Sequence, residues 1–290
     1  MKKVLFLLVC LSLIVAGLLA ATAYAQGSSA ASMARGGRLY DKWWKVIDAE
    51  APTTDHPLWA LQTTNTRSGS ATWRCKECHG WDYKGKDGAY GSGSHYTGFV
   101  GVWDAAQTKS AEELAAILKG STNADHDFSS VLDDTSITDL ANFLKEGLVD
   151  NAQYIDYSTK KPIGGDASHG EELFSGLCAA CHGDDGTEIN FKTPEEPEYV
   201  GTVASGNPWE FLHKVRAGQP GTAMPAAIEG DWSMQDVVDV LAYAQSLPTG
   251  APEALPVTGG AVAGSVVYMV GLGLAGLAIL TSGVLLRLRR

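Results

Sequence analysis

Methionine and cysteine are both scarce in this chain, five of each in 290 residues. No methionine stands between Met33 and Met224. Four of the cysteines fall in two short stretches, and the fifth, Cys10, lies in an N-terminal apolar run. If that run is removed, no cysteine is left for a disulfide, a zinc site or a thiolate ligand. Positive charge is short as well: 22 Lys and Arg stand against 33 Asp and Glu, a formal net charge of -11. This balance argues against nucleic-acid binding, which needs a basic stripe. An acidic surface suits solubility, or a neutral or positively charged protein partner.

What the chain does have is a pair of matched stretches, Cys75-Lys76-Glu77-Cys78-His79 and Cys178-Ala179-Ala180-Cys181-His182. Each reads C-x-x-C-H and is followed by a glycine, Gly80 or Gly183. This spacing is the attachment signature of c-type haem. Residues three apart share a helix face, so both cysteines of a pair can reach one porphyrin. His79 and His182 then fall under the iron as proximal ligands. A redox disulfide or half of a zinc site is the competing reading of any single C-x-x-C. Two copies, each with the histidine, favour two covalently bound haem c groups.

The ends of the chain point to export. Met1 to Lys3 is a short positive region, Val4 to Ala21 is apolar, and Ala23-Tyr24-Ala25 offers a cleavage site, so residues 1–25 read as a signal peptide. At the other end, residues 249–260 form a spacer and 261–286 an uncharged apolar run long enough to span a bilayer. The basic tail, 287–290, puts the haem domains on the outer face of the cytoplasmic membrane. Leu255-Pro256-Val257-Thr258-Gly259 resembles an LPxTG sorting signal. Two readings stay open, a plain membrane anchor and attachment to the cell wall by a sortase.

Between the ends the pattern is mostly α. Helices are expected over Arg35 to Ile47, Ser110 to Lys119, Thr135 to Glu146, Ser168 to Leu177, Pro208 to Arg216 and Ser233 to Leu247. Asp48 to Trp73 and Asp184 to Gly206 read as loops. His56, in the first of these, reads as a surface loop histidine, and His213 as partly exposed on its helix. His169-Gly-Glu-Glu-Leu-Phe174 echoes Gly36-Gly-Arg-Leu-Tyr40, which suggests internal duplication. The expected organisation is two tandem cytochrome c-like helical haem domains, 33–148 and 166–248, joined by a polar linker at 149–165.

The second unit resembles the class I cytochrome c family over 166–248. The resemblance is carried by Cys178-Ala-Ala-Cys181-His182-Gly183, by Met224-Pro225 before the last helix, and by that helix. It implies His182 and Met224 as axial ligands. A thioether raises the reduction potential relative to a second imidazole. Met234, the other methionine of this half, reads as a packing residue. The first unit departs from the family, because it has no methionine to match Met224. His126 stands where Met224 stands in the second unit and is the expected distal ligand, with His95 the runner-up; an exchangeable sixth position is the third possibility.

These residues favour an electron carrier, a dihaem cytochrome c that exchanges electrons with redox protein partners outside the membrane. The alternative is an oxidoreductase, or the haem subunit of one, acting on a small inorganic sulfur or nitrogen substrate. Dihaem thiosulfate dehydrogenases use a cysteine ligand, and the mature chain has none to spare. No catalytic residue is assigned.

Overall fold

The computed structural model describes residues 30–230 and 232–250. The signal peptide, the LPVTG spacer, the apolar run at 261–286 and the basic tail lie outside the described residues. Among the described residues, no helix is long and apolar enough to cross a membrane.

The chain is mostly helical, as its periodicity predicts. Helix α1 covers 30–46. It buries Leu39, Tyr40, Trp43 and Trp44, which recur at helical spacing. Helix α2, Cys75–His79, carries the first motif. Helices α3, Trp103–Thr108, and α4, Ala111–Leu118, follow. The capping box expected at Ser110 and Glu113 is present in full. Helix α5, Asp134–Asn142, runs on through a π turn, Phe143–Gly147. These elements gather one apolar core around Leu39, Trp43, Leu118, Ile137 and Leu140.

The second half begins with α6, Ala167–Leu173, which passes through a π turn, Phe174–Cys178, into α7, Ala179–His182. Helices α8, Val200–Gly206, α9, Pro208–Ala217, and α10, Met234–Ala244, complete it. Helix α8 lies in a stretch expected to be loop. Its Gly-Thr-Val-Ala-Ser-Gly sequence has weak helical preference. Packing stabilises it instead: Val200 and Ala204 are buried, and Gly201 sits against the Leu247 carbonyl. Met234 opens α10 and packs beside the second core.

One close contact occurs in both halves. Gly36 of α1 sits against the Asp139 carbonyl of α5, where a Cβ would come to 2.1 Å. Gly170 of α6 sits against the Asp239 carbonyl of α10, where a Cβ would come to 1.9 Å. The residue before each glycine pairs with the same aspartate: Arg35 with Asp139 at 2.6 Å, and His169 with Asp239 at 2.8 Å. The echo between 36–40 and 169–174 thus extends to contacts between the first and last helices of each half.

The segment 149–165 is short and structured. Strand β1, Ile155–Asp156, pairs antiparallel with β2, Lys161–Pro162. Ile155 is buried in the core of the second half. Trp81 and Tyr90, from the first half, are buried in that same core. The described residues accordingly cluster as one compact unit.

Candidate haem-binding sites

Helix α2 delivers the first motif. Its end is set by Gly80, whose φ of 77° and ψ of 161° are open to glycine almost alone. Gly183 ends α7 with the same two angles. A side chain at either position would strain the backbone directly after the histidine.

A pocket of about 420 Å³ opens beside α2. Cys75, Cys78, His79, His126, Trp73 and Phe128 line it, and so does His56. The pocket is open to solvent and its lining is largely apolar, as a porphyrin edge requires. His79 and His126 face each other with ring centroids 6.2 Å apart. Two imidazoles bonded through nitrogen to one metal ion, at about 2 Å each, place their centroids roughly 6 Å apart. The residues present therefore fit a haem held between His79 and His126.

Hydrogen-bond partners sort the histidines further. A carbonyl only accepts, so a ring nitrogen bonded to one carries the proton. His79 Nδ1–H donates to the Val100 carbonyl at 2.7 Å. His126 Nδ1–H faces the Ile117 carbonyl at 3.4 Å. Both rings thus leave Nε2 bare for a metal. Burial pushes His79 down to about 4 and lowers His126 as well, which keeps both neutral.

His95 is engaged elsewhere. Its Nδ1–H donates to Glu77 at 3.2 Å, and its Nε2 accepts from Arg67 at 3.2 Å. Its ring stacks on Tyr90 at 4.2 Å. Glu77 lies between the two cysteines and is almost wholly buried. Burial alone would raise its carboxyl. The His95 hydrogen bond, Lys76 at 2.6 Å and Arg67 at 3.1 Å outweigh burial and hold it well below the usual carboxylate range.

Two histidines differ from expectation. His56 is buried, not a surface residue. Trp73 and Phe128 close over its ring at 4.6 and 5.3 Å. Its Nδ1 accepts from the Leu58 amide at 3.2 Å. His213 is buried rather than partly exposed. The Tyr83 hydroxyl donates to its Nδ1 at 3.0 Å, and its Nε2–H donates to the Gly37 carbonyl at 2.9 Å. No sequence pattern marks either burial, because the covering residues come from distant segments.

The second motif is more open. Cys178 and His182 are half-buried, and Cys181 is exposed. Leu177, Ile189 and Phe191 stand exposed close to it in sequence, Phe191 5.8 Å from the His182 ring. His182 Nδ1 is buried without a partner, so it lacks the carbonyl that anchors His79. Met224 lies half-buried in the loop after α9, with its amide bonded to the Thr222 hydroxyl at 3.2 Å. Exposed apolar side chains and an orphaned imidazole nitrogen fit a site that a large apolar group would cover.

The alternative chemistries of C-x-x-C fit less well. Burial pushes the Cys75 and Cys78 thiols up to about 12 and Cys178 to about 11, the reverse of a reactive dithiol. Among the described residues, no three His, Cys, Asp or Glu side chains converge as a cage for a bare ion.

Comparison with known proteins agrees for the second half. Residues 165–243 match the family model described as cytochrome c oxidase, cbb3-type, subunit III. The match supports a c-type cytochrome with covalently bound haem c, whose chemistry is electron transfer. No curated protein and no solved structure matches the chain.

Proposed function

We propose that this chain is an exported dihaem cytochrome c, anchored to the membrane or wall, that carries electrons outside the cytoplasmic membrane. The observation that carries the reading is the facing pair His79 and His126, each with Nδ1 turned to a carbonyl and Nε2 left bare. Cys75 and Cys78, with His79 and His126, would hold one haem. Cys178 and Cys181, with His182 and Met224, would hold the other. A haem iron supplies a one-electron couple at each site.

The residues set the direction. Two imidazoles favour the ferric state more than an imidazole and a thioether do. The site of His79 and His126 is then the donor, and the site of His182 and Met224 the acceptor. The commitment of both His95 nitrogens to Glu77 and Arg67 supports His126 over His95. The repeated glycine–carbonyl contact supports two units of common plan. Residues 261–286 would hold the chain at the membrane unless a sortase joins Thr258 to the wall. A donor and an acceptor redox protein complete the scheme.

Low-temperature EPR during a redox titration of the haem-loaded chain tests this reading. Two low-spin signals that titrate at separated potentials are expected. A single haem per chain, or a high-spin signal from the first site, would overturn it.

A further inference from the structure

His56 is the one pocket histidine that the ligand set does not use. Its ring lies 6.4 Å from that of His126, and both residues line the pocket. Because Nδ1 accepts from the Leu58 amide, the neutral ring carries its proton on Nε2. That orientation denies Nε2 to a metal, since coordination needs a bare nitrogen. It also leaves an N–H donor without a partner among the described residues, in the wall of a largely apolar pocket. The backbone amide of His56 is fixed by Thr72 at 2.8 Å, and Phe128 stacks against the ring. The donor is built in rather than loosely placed.

His126 is held more weakly than His79. Its carbonyl contact is 3.4 Å long, against 2.7 Å for His79. It closes a single 3₁₀ turn, Ala124–His126, in the loop before α5. In haem sites, distal donors and steric access decide between electron transfer and ligand binding.

We infer that the first site is also a gated site for a small neutral diatomic ligand, with His56 as the distal donor that receives it. The inference rests on the assignment of His79 and His126 as ligands. His126 Nε2 would give way to the diatomic, and His56 Nε2–H would donate a hydrogen bond to its outer atom. No electron is gained or lost in the exchange. The ligand class is the neutral gas with an acceptor atom at its far end, such as nitric oxide or dioxygen.

Carbon monoxide on the reduced, haem-loaded chain is the probe. In the wild type the binding rate should level off as carbon monoxide rises, because His126 must leave first. In His126→Ala it should rise in proportion. Within the His126→Ala background, His56→Leu should move the C–O stretch to higher wavenumber, since the donor that favours electron density in the C–O antibonding orbital is lost. His56→Gln keeps a donor and should stay near the parent. A stretch unmoved by His56→Leu overturns the inference and leaves the ligand assignment standing. A wild type that takes up no carbon monoxide at the first site overturns the gate. A His126→Ala chain that stays six-coordinate and rejects the probe overturns both this inference and the functional reading beneath it.

Discussion

Lys214 and Asp41 form an ion pair that joins α9 of the second half to α1 of the first. Asp41 is wholly buried and also pairs with Arg74, the residue just before Cys75. Burial alone would raise the Asp41 carboxyl, but the two cations outweigh it and hold it well below the usual carboxylate range. Replacing it would strip the mostly buried Arg74 and Lys214 of their shared carboxylate. Asp41→Asn should therefore cost about 3–5 kcal/mol, the usual result of breaking a buried pair from one side. Denaturant unfolding measures this, and a midpoint unchanged from wild type would show the pair to be solvated.

His213 predicts an acid-sensitive fold. Burial pushes its pKa down to about 3, whereas an unfolded histidine titrates near 6.5. Below about pH 6.5 the unfolded chain takes a proton that the folded chain refuses. The stability from His213 is thus present above that pH and is lost as pH falls toward 3. The loss from this group approaches about 1.4 kcal/mol per pH unit. His213→Gln, which can keep both hydrogen bonds, should flatten the stability curve between about pH 6 and pH 4. Parallel curves for the two proteins would count against the assignment.

The matched glycines predict matched lesions. A methyl group at Gly36 or Gly170 would strike a carbonyl of the facing helix. Gly36→Ala and Gly170→Ala should each cost about 1–3 kcal/mol, the usual penalty of overpacking. Thermal melts of the haem-loaded chain report the loss. A tolerated alanine at one site but not the other would mean that the two helix crossings are not equivalent.

The ligand assignments predict three spectra. Met224→Ala should remove the sulfur-to-iron charge-transfer band, and persistence of the band would exclude Met224 as ligand. His126→Ala should turn the first site high-spin. His95→Ala should leave both spectra intact and lower stability by about 1–3 kcal/mol, because Glu77 loses a buried donor. A spectral change in His95→Ala would reopen its claim as ligand.

How far these features could be read from sequence depends on their range. The C-x-x-C-H stretches and the capping box at Ser110 are local patterns, so spacing alone reveals them. The position of His126 facing His79 agrees with its correspondence to Met224 in the other half, a signal one step further out. His56 was not legible, because it sits in a segment with no periodicity. Its burial comes from Trp73 and from Phe128, which arrives from 72 positions along the chain. The same holds for His213, whose partners Tyr83 and Gly37 belong to the other half. Helix α8 leaves no mark in composition, because packing on Leu247 stabilises it.

Trp81 follows His79 by two positions, yet it is buried in the second half's core. Lys214, Lys76 and Arg74 lie 5.2, 5.3 and 5.8 Å from its ring. A fragment that ends at residue 148 would carry this plug without its socket. One that starts at residue 166 would have the socket and nothing to fill it. The two motifs are therefore not beads that recombination can deal out singly. Any grafting of either unit into another protein has to carry Trp81 with it or redesign the hole that it leaves.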